Sequence, residues 1–222
     1  MIFLKRYKYI LIIAAVVLLG FGFYFAKNYW DLRKENQVLA KLSQTEANRQ
    51  FVDLIRKDRS DLSKSKGKDQ GPIYADMGTN FYGMHAYDYA VKYYSLSLSA
   101  NPENDVGFLN LGNSYRQLRN LPKAKTAYLK SFEVSQYQNS AGCIELGDMI
   151  QFDKLAPVTD AEKIYLDCLA KAPKDRNIIA HLALYYKNQG DKKNALKYFD
   201  ELSHIEPWNT EVLSIMKELS TP

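Results

Sequence analysis

Hydrophobic and polar positions divide the chain into three kinds of pattern. The first is an unbroken apolar run, YILIIAAVVLLGFGFYFA from Tyr9 to Ala26, with 18 residues and no charge. At about 1.5 Å rise per residue it spans roughly 27 Å, close to the hydrocarbon thickness of a bilayer. This predicts a transmembrane helix over 9–26 behind a short basic N-terminus, 1–8, that carries Lys5, Arg6 and Lys8. Tyr7 and Tyr9 at one end, and Tyr24, Tyr29 and Trp30 at the other, stand where interfacial aromatics belong. A cleaved leader would have a shorter core and small residues before the cut. The exit here reads GFGFYFAKNYW, so the run is expected to stay on the chain as a signal-anchor. The basic N-terminus favours a cytoplasmic start, placing the bulk of the chain in the periplasm of a bacterial inner membrane.

The second pattern covers residues 28–59, which contain no Gly or Pro and are rich in helix formers. Apolar residues recur at Leu32, Val38, Leu39, Leu42, Phe51, Leu54 and Ile55, but the heptad fails over 44–50. A continuous helical stalk is predicted, rather than a long coiled coil. Residues 60–71 are polar, with Ser, Lys and Gly, and read as a flexible linker.

The third pattern is periodic. Gly78 and Gly112, Ala90 and Ala124, and Tyr94 and Tyr128 are each 34 residues apart. Four units align: Tyr74, Met77-Gly78, Phe81, Ala90, Tyr94, Pro102; then Phe108, Leu111-Gly112, Tyr115, Ala124, Tyr128; then Cys143, Leu146-Gly147, Ile150, Ala161, Tyr165, Pro173; then Ile179, Leu182-Ala183, Tyr186, Ala195, Phe199, Pro207. A fixed period of this length signals stacked repeats. Within a unit, small residues let two helices approach, larger apolar ones fill the gaps, and proline stops the second helix. The third unit has two extra residues between its helices, where Thr159 and Glu162 form a capping box. The second lacks the closing proline and has Gln136 there, so a local change in pitch is expected near 136–142.

The pattern resembles the tetratricopeptide repeat (TPR) family over residues 72–208, about 60% of the chain. The resemblance implies an all-α fold: a TPR-type α-solenoid of four helical hairpins, about 72–104, 105–138, 140–175 and 176–208. A capping helix at 209–220 would close the stack. With the N-terminal segments, the expected architecture is one transmembrane helix, a helical stalk and this solenoid.

Charge sharpens the division. Residues 1–70 hold 14 Lys/Arg against 7 Asp/Glu, whereas 71–222 hold 16 against 18. The basic excess thus belongs to the N-terminal arm, and the repeats carry no basic face for nucleic acid. Two cysteines, Cys143 and Cys168, fit neither a disulfide framework nor a zinc pattern. They read as small buried residues, with one bridge open if the protein folds in an oxidising compartment. No phosphate loop, nucleophile elbow or His-x-x-x-His pair appears, and His85, His181 and His204 are scattered. No enzyme, metal, cofactor or small-molecule substrate is expected.

The family resemblance implies that first helices line a concave ligand groove. Carried over by position, the groove would hold Thr79 and Tyr82; Asn110, Asn113, Arg116 and Gln117; Ile144, Glu145, Asp148, Gln151 and Phe152; and Asn177, His181, Leu184 and Lys187. Amides with one Arg suit the backbone of an extended peptide. The clamp that some TPR domains use for acidic chaperone tails is broken here, since its positions read Ala75, Thr79, Asn110, Ala141 and Glu145. The expected function is a non-enzymatic membrane-anchored adaptor, binding a peptide or protein partner in an envelope-associated assembly (secretion, pilus or translocon-accessory type) with the bilayer engaged through 9–26. Two alternatives stay open: a structural subunit of a membrane complex with an unused groove, and an organelle-surface receptor with a cytosolic TPR domain.

Overall fold

The computed structural model describes residues 2–153 and 159–221; the side chains of 2–15, Leu18 and Thr159 are not described. All regular secondary structure among the described residues is helical. The chain divides into two compact units, Met1–Leu54 and Ile55–Pro222. The first contains α1 (Ile2–Leu42), a turn at 43–45 and the start of α2 (Glu46–Leu62). In that turn the Ser43 N–H donates to the Leu39 carbonyl at 2.9 Å, and its hydroxyl donates to the Ala40 carbonyl at 2.9 Å.

The expectation of a single-pass membrane protein is corrected here. Among the described residues no helix is long and apolar enough to cross a membrane. The segment 9–26 lies within α1, but its described side chains begin only at Val16. The apolar run ends at Ala26 while the helix goes on without a break. It then continues into Lys27, Asp31, Arg33 and Lys34. The single-pass placement with periplasmic repeats is therefore overturned, and the signal-anchor and the bilayer as a partner find no support among the described residues.

Among its described residues the second unit holds the rest of α2, a 3-10 turn (Gly67–Asp69) and nine further helices: α3 (Gln70–Gly83), α4 (Tyr87–Ala100), α5 (Asp105–Gln117), α6 (Leu121–Val134), α7 (Ala141–Phe152), α8 (Thr159–Lys171), α9 (Arg176–Asn188), α10 (Lys192–Ile205) and α11 (Thr210–Ser220). The starts of many are written locally. Asn104, Asn120, Asp175, Asp191 and Asn209 each stand before a helix and accept a hydrogen bond from a backbone N–H of its first turn. Such caps contribute about 1 kcal/mol each. The described turns inside the first, second and fourth hairpins share a left-handed residue: His85, Arg119 and Gly190, each seven positions after Gly78, Gly112 or Ala183. After α6, Gln136 and Tyr137 are both left-handed and redirect the chain toward α7.

Each helix packs on the next, α3 on α4 through α10 on α11. First helices of successive pairs also touch one another, α3 with α5, α5 with α7 and α7 with α9. Among the described residues no second helix touches the next second helix. The first helices therefore form the crowded inner side of the stack and the second helices its outer side. Between them lies the core: Ala90, Ala124, Ala161 and Ala195 are fully buried at the hairpin crossings, with Tyr94, Tyr128, Tyr165 and Phe199 one turn later. Cys143 on α7 and Cys168 on α8 are bonded to each other, with Cα atoms 6.5 Å apart, so the third hairpin is covalently closed. The capping box expected there cannot be placed, since the side chain of Thr159 lies outside the described residues.

Candidate functional site

The inner face begins with the core beneath it. A Cβ added to Gly78 would lie 2.8 Å from the Tyr94 ring, and one on Gly112 would lie 2.6 Å from the Tyr128 ring. Gly147 faces Tyr165 in the same way. The glycines thus leave room for each tyrosine to slide under the first helix and reach the inner face with its hydroxyl. A buried tyrosine needs a partner for that hydroxyl. In every case it is the residue after the glycine. Tyr94 pairs with Thr79 Oγ1 at 3.0 Å, Tyr128 donates to Asn113 Oδ1 at 2.7 Å, and Tyr165 donates to Asp148 Oδ1 at 2.6 Å. In the fourth hairpin Phe199 has no hydroxyl, and the corresponding residue is Leu184. The choice between Tyr and Phe in the core therefore matches the polarity of the inner face above it.

Charged pairs then link neighbouring first helices. Arg116 on α5 donates Nε and Nη2 to the two Asp153 oxygens, at 2.7 and 3.3 Å, and Nη1 to Glu145 on α7 at 3.2 Å. His181 Nδ1 on α9 lies 3.4 Å from Asp148 on α7. Lys187 on α9 lies 3.6 Å from Glu218 on α11. The Asp153 hydrogen bonds push the Arg116 guanidinium further toward its charged form, outweighing partial burial. Burial raises the Asp148 carboxyl, but the His181 and Tyr165 hydrogen bonds more than offset this and hold it below the usual carboxylate range. Burial also pushes the Tyr128 and Tyr165 hydroxyls well above their ordinary value, so they stay protonated donors at neutral pH.

Eleven of the expected groove residues thus fall into two groups. Thr79, Asn113, Arg116, Asp148, His181 and Lys187 are engaged within the fold. Tyr82, Asn110, Gln117, Gln151 and Phe152 lie on the same helices outside that network; Tyr82 packs edge-on against Tyr87 at 5.2 Å, and Phe152 is 60% exposed. Sequence reasoning missed Asp153, which follows α7 in a turn, and the three tyrosine hydroxyls. The signal for the latter was present: a polar residue after Gly accompanies Tyr, and an apolar one accompanies Phe. The histidines do not converge. His85 pairs with the Tyr87 hydroxyl at 2.7 Å, and His204 with the Asp200 carbonyl at 2.8 Å. Among the described residues no group of His, Cys, Asp and Glu is arranged to hold a metal ion.

The comparisons place these repeats among known ones. The family model for the tetratricopeptide repeat matches residues 107–137 and 177–207. No curated protein matches the chain. A crystal structure of MamA is 15% identical, covers 71% of this chain and 89% of its own, and superposes with a TM-score of 0.52. YrrB, described as a TPR protein with an unusual peptide-binding site, is 18% identical over 66% of this chain and 74% of its own, with a TM-score of 0.45. MamA from Desulfovibrio magneticus RS-1 is 13% identical over 68% and 84%, with a TM-score of 0.47. At these identities the likeness speaks for the fold alone. The chain carries tetratricopeptide repeats, at 107–137 and 177–207, in an all-helical fold similar to that of MamA.

Proposed function

We propose that the protein is a non-catalytic scaffold that binds a peptide segment or protein partner along the inner face of its first helices. The observation that carries this reading is the division of that face. Six polar residues are fixed by core tyrosines and by pairs between helices, which makes the surface rigid. Asn110, Gln117 and Gln151 stand beside them with amides that donate and accept, as an extended backbone requires. Tyr82 and Phe152 add apolar contact area at two points of the same face. A surface already held in shape loses little entropy on binding, which favours affinity.

The test is co-purification of partners with the full chain from its native cells. Wild type is compared with the triple variant Asn110→Ala, Gln117→Ala, Gln151→Ala, which leaves every pair described above intact. Loss of the partners, with an unchanged circular dichroism spectrum, supports the inner face as the binding surface. Retention of the same partners by the variant refutes it.

A further inference from the structure

At its C-terminal end the inner face changes character. A cavity of about 270 Å³ opens between α9, α10 and α11, floored by Ala180, Leu184, Phe199, Leu202, Val212 and Ile215. This is the hairpin where the core brings up Phe199 rather than a tyrosine, so the floor stays apolar. A cavity of roughly 150 Å³ already holds a benzene ring, so this one admits a branched aliphatic or aromatic side chain. One wall is fixed: Arg176 pairs with Glu206, and Glu206 accepts from Asn209 at 2.9 Å while Asn209 caps α11. Asn177 and Glu211 complete the rim, and neither has a side-chain partner among the described residues.

Charge narrows the occupant. Among the described residues these cations of the face each stand beside a carboxylate: Arg116 at Asp153 and Glu145, Arg119 at Asp153, Arg176 at Glu206, and Lys187 at Glu218. Three carboxylates, Glu145, Asp148 and Asp153, stand against the two guanidinium groups of Arg116 and Arg119, and Glu211 at the cavity rim has no side-chain partner among the described residues. An acidic ligand would meet a small surplus of negative charge and would have to compete with carboxylates for each of these cations. A basic one would neutralise it.

We propose that this cavity is an anchor subsite for a Leu-, Ile- or Phe-like side chain of a peptide that also carries Lys or Arg near that anchor. The peptide lies along the inner face, with its backbone against the Asn177 amide and its basic residue facing Glu211. This deepens the reading given above and rests on it.

The probe is a phage-displayed library of random twelve-residue peptides, selected on the full chain and read by sequencing and fluorescence polarisation. The expected enrichment is an apolar residue close to Lys or Arg. Leu184→Glu, which alters a partly exposed side chain, should weaken the selected peptides at least tenfold. Glu211→Lys should shift the selection from basic toward acidic residues beside the anchor. Acidic peptides selected on wild type, or peptides indifferent to both variants yet lost with the triple amide variant, would overturn the subsite while leaving the inner face as the binding surface. Peptides unaffected by every inner-face variant, or no enrichment at all, would overturn both.

Discussion

Tyr165→Phe tests the coupling between core and inner face in one atom. The Tyr165 ring is fully buried, and its hydroxyl donates at 2.6 Å to Asp148, a carboxyl only about a quarter exposed. Removing that oxygen leaves the ring packing in place and costs the hydrogen bond alone. A bond to a charged acceptor contributes about 2 kcal/mol net, so the folded-to-unfolded ratio should fall roughly thirtyfold at pH 7. The pH dependence follows from Asp148, whose carboxyl is held below its ordinary value in the fold. A depressed carboxyl contributes stability above its unfolded pKa, near 3.9, and loses it as pH falls through the lower folded value. Below that window Asp148 is neutral in both states, and the cost of Tyr165→Phe should drop to about 1 kcal/mol, as for a bond between neutral groups. Urea denaturation followed by circular dichroism, at pH 7 and again at a pH low enough to protonate Asp148 in the fold, measures both values. The double variant Tyr165→Phe, Asp148→Asn should lose less than the sum of the singles, since both remove the same interaction. A loss below about 0.5 kcal/mol at pH 7, or equal losses at both pH values, would refute the account.

Three further outcomes follow from particular residues. Reducing the Cys143–Cys168 bridge, which closes a 25-residue separation, should cost about 3–4 kcal/mol in the same unfolding assay, and Cys143→Ala, Cys168→Ala should lower stability to match. Gly190→Ala should cost about 1 kcal/mol in a thermal melt, because Gly190 is left-handed (φ 75°) while an added Cβ would meet open space. Ser131→Ala should be neutral or stabilising by up to about 1 kcal/mol, because the Ser131 hydroxyl is buried with no hydrogen-bond partner among the described residues; a clear loss of stability would show that it has one.

Much of the hairpin architecture was legible from spacing. Alanines at the helix crossings and small residues facing large rings are local rules repeated along the chain, and each leaves a mark at a fixed offset. The inner face was harder to read. Position alone placed Arg116 among ligand-contacting residues, but its engagement depends on Asp153, in a turn that no helical periodicity tracks. The Cys143–Cys168 pairing needed the registration of α7 against α8, a packing detail set by the sum of many contacts. The membrane expectation treated 9–26 by hydropathy, a property of the segment in isolation, and the described helix does not support it.

The closed third hairpin has a consequence for how the stack comes apart. Repeats that contact only their neighbours behave as a one-dimensional chain of coupled units, each opening according to its own stability and that of its interfaces. A covalent tie within an interior unit lowers the entropy of its opened state alone. Fraying should then start at the ends, at α3–α4 and at α10–α11, and stall at α7–α8. In the reverse direction that hairpin keeps its two helices within reach even when unfolded. With the bridge intact, refolding is expected to start there, with order spreading outward in both directions from the middle of the repeats.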